Sequence, residues 1–292
     1  MNWQAIEASI TSATGEEFRV LSSSSVGGGS VNSAYLVQND VNKYFVKLNV
    51  RQYSEMFVAE AEGLNELIKP DCIKVPKPIS WGESSDHAFI VMDYVPTSRG
   101  DKNSAVVFGE QLARLHQFQN EEFGWHRNNT IGSTKQINKK SKDWIDFYRE
   151  HRLQYQISLA ARAGAGRELE SLGEKLCSHL NAFFQTYQPK PSLLHGDLWS
   201  GNYAFDGQSN PVIFDPAVYY GDREADIAMT ELFGGFSNSF YTAYDNVFAL
   251  DEGYTTRKTL YNLYHVLNHF NLFGGGYYSQ SIDMMKKLLA EI

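Results

Sequence analysis

The two parts of this chain carry different hydrophobic patterns, and that contrast most constrains the fold. Up to about residue 95, short β-rich runs such as Tyr44-Phe45-Val46-Lys47-Leu48 and Ala88-Phe89-Ile90-Val91-Met92 alternate with turn residues. After the loop Pro96-Thr97-Ser98-Arg99-Gly100, apolar residues recur mainly at helical spacing. Strands followed by helices predict an α+β protein. We therefore predict two lobes, 1–95 with a small antiparallel sheet and 96–292 mainly helical.

The predicted elements follow from these patterns and from the positions of glycine and proline. The first lobe should contain a helix over 3–13, a strand over 18–21, a hairpin of 34–37 with 44–48, a helix over 54–68 and a buried strand over 88–92. The second should contain helices near 103–118, 141–160, 166–187, 223–234, 256–272 and 279–291. A hairpin turning through Asp206-Gly207 should join 202–205 to 211–214.

Charge and cysteine content narrow the possible partners. The net charge is −8, from 26 basic and 34 acidic residues, which argues against a non-specific nucleic-acid binder. Cys72 and Cys177 are too few for a disulfide framework. No signal peptide is visible at the N-terminus, and no apolar run approaches the ~18 residues of a membrane span. We expect a cytoplasmic monomer with no nucleic-acid or membrane partner.

The segment His195-Gly196-Asp197-Leu198-Trp199-Ser200-Gly201-Asn202, followed by Asp215, carries the strongest chemical signal. A carboxylate, an amide and a second carboxylate in this order suit phosphoryl transfer. We predict that Asp197 is the catalytic base, which accepts a proton from a substrate hydroxyl. Asn202 and Asp215 supply oxygen ligands suited to Mg²⁺. We expect His195 to hold the loop through backbone bonds.

A buried ion pair is predicted upstream. Glu60 falls on or beside the apolar stripe of the helix predicted over 54–68, so its carboxylate needs a partner. Lys47, at the end of the preceding apolar strand, is the natural candidate. The predicted function of the pair is to position nucleotide phosphates.

Two further segments could contact the nucleotide. Gly27, Gly28, Gly29 and Ser30 lie between strands, where free backbone N–H groups can bind phosphate. A linker or flexible hairpin loop would have the same composition. Asp93-Tyr94-Val95 follows a buried strand at the predicted lobe boundary, where a two-lobed kinase offers backbone groups to adenine. By itself this segment reads as a strand end.

We also predict roles for two residues near the motif, Asp226 and Trp199. Asp226 faces partly inward on the helix predicted over 223–234, and we expect it to hydrogen-bond the catalytic loop. The neighbouring acids Asp222 and Glu224 are explained as helix caps. Trp199 lies inside the catalytic loop, where we expect it to pack over a sugar or an amine.

Taken together, these residues resemble the fructosamine kinase (ketosamine 3-kinase) family, within the wider aminoglycoside phosphotransferase and protein-kinase-like fold. His-Gly-Asp-x-x-x-x-Asn is shared by many small-molecule kinases. The filling Leu198-Trp199-Ser200-Gly201 is much narrower, as is the run Asp215-Pro216-Ala217-Val218-Tyr219-Tyr220-Gly221-Asp222-Arg223-Glu224-Ala225-Asp226.

The resemblance implies a two-lobed kinase that uses ATP and Mg²⁺ to phosphorylate the 3-hydroxyl of a ketosamine. Such a substrate is free or attached to a protein lysine, and the activity amounts to deglycation. It also implies that Asp197 is the base, that Asn202 and Asp215 bind Mg²⁺, and that Lys47 with Glu60 positions phosphates. Two alternatives remain open, a kinase of the same fold for aminoglycosides or choline, and a nucleotide-binding module without catalysis.

Overall fold

The computed structural model describes residues 3–27 and 32–292. Its backbone divides into two compact units, each built from two stretches of chain. The first comprises Met1–Ser104 and Ala204–Pro216, and the second comprises Ala105–Tyr203 and Ala217–Ile292. The first holds an antiparallel sheet and the second is mainly helical, which confirms the predicted α+β class. The units are not divided at residue 95, because residues 96–104 and 204–216 belong to the first unit. The predicted lobe boundary at that residue stays a prediction.

The first unit is built on a five-stranded antiparallel sheet in the order β1-β2-β3-β5-β4. Its core forms where Val46 of β3 and Val91 of β5 pack with Ile10 and Phe18. The elements in chain order are α1 (Gln4–Thr14), β1 (Ser22–Val26), β2 (Ser33–Gln38), β3 (Lys43–Val50), α2 (Ser54–Ile68), β4 (Pro78–Glu83), β5 (His87–Asp93) and β6 (Thr97–Ser98).

The chain then continues through helices and short strands. These are α3 (Ser104–Gln117), β7 (Asn129–Ile131), β8 (Thr134–Gln136), α4 (Trp144–Tyr148), α5 (Gln154–Arg162), α6 (Arg167–Ser178), β9 (Ser192–Leu194), β10 (Tyr203–Asp206), β11 (Pro211–Ile213), β12 (Tyr219–Gly221), α7 (Glu224–Leu232), α8 (Asn238–Val247), α9 (Tyr254–Phe273) and α10 (Tyr277–Ala290). A π-helical turn, Arg149–Leu153, joins α4 to α5. No helix in the described ranges is long and apolar enough to cross a membrane.

Two predictions in the first unit were wrong. Residues 18–21 are not a strand, because the Phe18 ring turns into the core against Tyr44, with ring centroids 5.1 Å apart. The strand lies instead in the serine run that follows, where β1 pairs along β2 from Ser22 opposite Gln38. The strand β4 is not among the predicted elements, because Pro76 and Pro78 indicate the end of the helical region before it. Proline is tolerated there because it is the first residue of an edge strand.

In the second unit most predicted helices are confirmed, with three differences. The helix predicted over 166–187 ends at Ser178, and a separate 3-10 helix follows over Leu180–Phe184. The helix predicted over 141–160 is interrupted by the π-helical turn. The helix α8 was not predicted, although its Phe240 and Tyr244 are fully buried. Aromatic and polar residues alternate over short distances between Ser237 and Val247, so the sequence does not show a clear helical period there.

Candidate active site

The His-Gly-Asp turn follows β9, which pairs antiparallel with β12. Gly196 has φ +82°, a conformation that L side chains rarely adopt. A Cβ at Gly196 would lie 2.1 Å from the carbonyl oxygen of Ala217, closer than any side chain can come. The backbone N of Ala217 also donates to the carbonyl of His195 at 2.8 Å. The turn is therefore fixed against the segment that leads into β12, and only glycine fits.

Asp226 on α7 holds the same turn from the other side. Its two carboxylate oxygens accept from the backbone N–H groups of His195, at 2.7 Å, and Gly196, at 2.8 Å. Asp226 is almost fully buried. Burial raises the pKa of this carboxyl, but the hydrogen bonds that it accepts from His116 and from the backbone N–H of Gly196 outweigh burial, so the net pKa is lowered. The expected bond between Asp226 and the catalytic loop is confirmed.

A second layer of hydrogen bonds orients Asp226. His116 of α3 is fully buried, and its Nε2 lies 3.2 Å from Oδ2 of Asp226. Its Nδ1 lies 2.8 Å from the hydroxyl of Tyr244, which in turn accepts from Arg223 at 3.1 Å. Burial lowers the pKa of His116, so the imidazole is neutral at pH 7. A neutral ring with its proton on Nε2 donates to Asp226 and accepts from the Tyr244 hydroxyl at Nδ1. This tautomer is consistent with all three hydrogen bonds.

Asp197 and Asn202 lie together in the second unit. The Asn202 amide Nδ2 donates to the backbone carbonyl of Asp197 at 2.8 Å and approaches its Oδ2 at 3.3 Å. His195 Nδ1 accepts from the backbone N of Asp197 at 3.3 Å, in line with a role in holding the loop. Because Asn202 uses its nitrogen for these contacts, its oxygen Oδ1 is the atom that could meet a cation.

Lys47, Glu60 and Asp215 lie together in the first unit. Lys47 Nζ lies 2.5 Å from Oε1 of Glu60, which confirms the predicted ion pair, and it also donates to Oδ1 of Asp215. Burial lowers the pKa of Lys47, but the two carboxylates outweigh it and the net pKa is raised. The ammonium is thus fully charged and can act as a point charge toward a phosphate.

Asp215 has the features of a ligand residue. It has φ +58°, one of the few non-glycine residues of the described ranges in the left-handed region, where strain tends to mark functional positions. Its side chain is 44% exposed although it bonds the buried Lys47. A carboxylate oxygen that is held but accessible, and the Asn202 amide oxygen, are hard donors that fit Mg²⁺. The residue types therefore fit the predicted ion.

The two other segments that were predicted to contact the nucleotide are described only in part. The backbone N–H of Asp93 donates to the Lys77 carbonyl at 3.0 Å, so it is not free for an adenine. Tyr94 and Val95 follow β5 and stay candidates for that contact. Gly27 is exposed and directly follows β1, whereas Gly28, Gly29 and Ser30 lie outside the described residues.

Trp199 is the first of a line of aromatic side chains, and the sequence analysis did not predict that the other members of this line lie beside it. Its ring lies over Gly201, where a Cβ would come within 2.4 Å of it, and 37% of the residue is exposed. The ring meets Phe233 edge-on at 6.3 Å, Phe233 meets His269 at 4.9 Å, and His269 meets Tyr277 at 5.1 Å. The aromatic spacing of His269, Phe273 and Tyr277 in the sequence was the available signal.

The antiparallel sheet of the first unit and the helices of the second define the class as a protein-kinase-like fold. The choline kinase LicA of Streptococcus pneumoniae aligns with a TM-score of 0.64 and 17% identity over 99% of both chains, which shows the shared fold. The predicted protein-kinase-like fold is confirmed.

The chain belongs to the fructosamine kinase family, whose family model matches residues 2–291. A Synechocystis sp. protein assigned as a ketoamine kinase is 46% identical over 98% of this chain and 97% of its own. The chloroplastic protein-ribulosamine 3-kinase of Arabidopsis thaliana is 41% identical over 94% of this chain and 85% of its own. A Haemophilus somnus 129PT structure assigned as a fructosamine-3-kinase has a TM-score of 0.90 and 30% identity over 98% and 97%. The protein is an ATP-dependent phosphotransferase, as the sequence predicted.

Proposed function

We propose that this protein phosphorylates the 3-hydroxyl of a ketosamine, free or attached to a protein lysine, with ATP and Mg²⁺. The observation that carries the proposal is the catalytic turn with its specific filling, Leu198-Trp199-Ser200-Gly201, in a chain 41% identical to a protein-ribulosamine 3-kinase. The fold likeness to choline kinase, at 17% identity, does not favour choline as the acceptor.

In the proposed reaction, the substrate hydroxyl donates its proton to the Asp197 carboxylate while the hydroxyl oxygen bonds to the γ-phosphorus. The bond to the bridging oxygen breaks, and ADP leaves with that electron pair. Asp226 supports this step because it fixes the two peptide N–H groups that precede Asp197. A carboxylate held in one position needs no reorganisation at the moment of transfer.

We propose that Lys47, oriented by Glu60, holds ATP phosphates, and that Asn202 and Asp215 are the magnesium ligands. Bound Mg²⁺ would supply positive charge toward the phosphate oxygens. The support is the charged, buried ammonium of Lys47, the 44% exposed side chain of Asp215, and the buried Asn202 amide, whose nitrogen bonds Asp197 and whose oxygen is the potential ligand atom. Gly27, Gly28, Gly29 and Ser30 are proposed to cover the phosphates through backbone N–H groups.

We propose that Trp199 and the aromatic line beside it bind the sugar–amine end of the substrate. His269 Nδ1 faces the His265 carbonyl at 2.8 Å, so it must donate there and Nε2 keeps a lone pair. Burial lowers the pKa of His269, which keeps the ring neutral at pH 7. An acceptor nitrogen beside an aromatic face suits a substrate that carries both hydroxyl groups and an ammonium.

The test is turnover of a ribulosamine and a fructosamine made from the same amine, with choline and an aminoglycoside as other acceptors. We expect a 3-phosphate, identified by phosphorus NMR, from at least one ketosamine. Turnover of choline or the aminoglycoside alone would contradict the assignment.

The catalytic role is tested with Asp197→Asn. We expect turnover to fall at least ~100-fold, as for loss of a general base, while the Kd for ATP stays within about threefold. Asp283→Asn, an exposed acid on α10, is the matched control and should keep the wild-type rate. A full rate in Asp197→Asn would show that another group is the base.

A further inference from the structure

The second unit contains a cleft that includes none of the predicted site residues. Its volume is about 380 Å³, within the range of small-molecule sites. Four aromatic side chains line it, those of Phe123, Trp144, Phe184 and Tyr187. Phe123, Trp144 and Phe184 are buried, whereas the amides of Gln185 and Gln188 lie at an exposed mouth. The walls therefore suit a flat ring, and the mouth offers donors and acceptors to its polar edge.

Two of the lining residues, Trp144 and Tyr187, are joined by a continuous chain of hydrogen bonds through residues outside the cleft. Trp144 Nε1 donates to the hydroxyl of Tyr261 at 3.1 Å, and that hydroxyl donates to Oδ2 of Asp222. The other oxygen of Asp222 accepts from the hydroxyl of Tyr187 at 2.8 Å. Asp222 is fully buried, and burial raises the pKa of its carboxyl. Two wall residues are thus tied to one buried acid.

The same acid leads to the catalytic turn. Oδ1 of Asp222 accepts from the backbone N of Glu224 at 3.1 Å, and its carbonyl accepts from Ala225 at 2.9 Å, so it fixes the start of α7. Asp226 follows on that helix and binds the N–H groups of the turn before Asp197. A displacement of Tyr187 would therefore reach the turn through two buried carboxyl groups, those of Asp222 and Asp226, on one short segment.

We propose that this cleft binds a planar bicyclic aromatic molecule with a polar edge and that its occupant regulates phosphoryl transfer. The regulatory part rests on the proposed role of Asp197. The ring packs between the aromatic walls, and the occupant holds Tyr187 where its hydroxyl donates to Asp222. That stabilises the start of α7, and with it the position of Asp226.

The first test is binding of 2-naphthamide to the full-length protein, measured by calorimetry without ATP or acceptor. Decahydro-2-naphthamide, which has the same amide but no flat ring, is the control ligand. We expect saturable one-to-one binding of the aromatic amide and at least about tenfold weaker binding of the saturated one. Equal binding of the two, or none, would overturn the site. This measurement is independent of whether ketosamines are substrates.

Variants connect binding to the cleft and to catalysis. Gln188→Trp should fill the mouth and weaken binding at least about tenfold, whereas Gln280→Trp on the exposed face of α10 should not. With the acceptor that the enzyme turns over, 2-naphthamide should raise kcat/KM about fivefold, at the lower end of allosteric coupling. Tyr187→Phe keeps the ring but removes the hydroxyl, so it should bind the ligand and lose the increase. Unchanged binding in Gln188→Trp would overturn the site, and an unchanged wild-type rate or a full increase in Tyr187→Phe would overturn the regulation.

Discussion

Substitution of Asp226 by asparagine tests the catalytic turn most directly. The carboxylate accepts from His195 N and Gly196 N and contacts His116 Nε2. The amide keeps one oxygen acceptor and points an NH₂ group at the remaining donors. Bonds to a charged group contribute about 1.5–3 kcal/mol each, so the loss of two predicts a destabilisation of about 3–6 kcal/mol. Because the turn also loses its anchor, turnover should fall more than ATP affinity.

The assay is urea unfolding at several pH values, with kcat measured at neutral pH. The net pKa of Asp226 is lowered in the folded protein. A lowered pKa means that the stabilisation is complete above the unfolded value near 4, and is lost as the pH falls through the folded value. The stability difference between wild type and Asp226→Asn should therefore be largest near pH 7 and narrow below about pH 4.

Glu231→Gln is the matched control because Glu231 lies on the same helix and binds Lys258 at 2.6 Å, away from the turn. We expect it to cost about 1 kcal/mol or less and to leave kcat unchanged. Equal losses of stability and rate in the two variants would show that Asp226 acts only as a general helix contact. An unchanged stability in Asp226→Asn would refute the reasoning from its hydrogen bonds.

Three further substitutions test the parts of the site separately. Gly196→Ala should destabilise by roughly 2–4 kcal/mol in urea unfolding, because its φ and a carbonyl contact exclude a side chain, whereas Gly207→Ala, with open space around it, should cost at most ~1 kcal/mol. Lys47→Met should raise the Kd for ATP at least about tenfold in calorimetry, and Lys43→Met on the same strand should not; equal values would remove Lys47 from the nucleotide site. Trp199→Leu should raise the acceptor KM by about 3- to 30-fold with the ATP KM unchanged, and a rise in the ATP KM alone would contradict an acceptor role.

The sequence predicted those parts of the site that depend on local spacing. Glu60 could be assigned to the inner side of α2 from helical periodicity alone, and a buried acid requires a cation, which led to Lys47. Asp226 could be placed inward for the same reason. The strand–turn–strand pattern around Asp206 predicted the β10–β11 hairpin because its period and its turn residues agree.

Features that depend on distant contacts were not predictable. The strand position in Ser22–Val26 is set by pairing with β2, although serine and glycine runs look like linkers. His116, the buried partner of Asp226, and Tyr244, which bonds His116, come from two other helices with no shared sequence motif. Asp222 was explained as a simple helix cap, whereas two tyrosine hydroxyls donate to its carboxylate. Only tertiary structure brings such groups together.

The discontinuous composition of the first unit has a consequence for biosynthesis. When the ribosome has made the first 104 residues, β6 still lacks its partner β10, and Lys74 lacks both the backbone bond from Ile213 and the ion pair with Asp206. These arrive only with residues 204–216, more than a hundred residues later and, at ~5–20 residues per second, after several seconds or more. In the nascent chain, β6 and Lys74 therefore stay without these partners while most of the second unit is translated. Folding of this unit is therefore completed late in translation and not in N-to-C order.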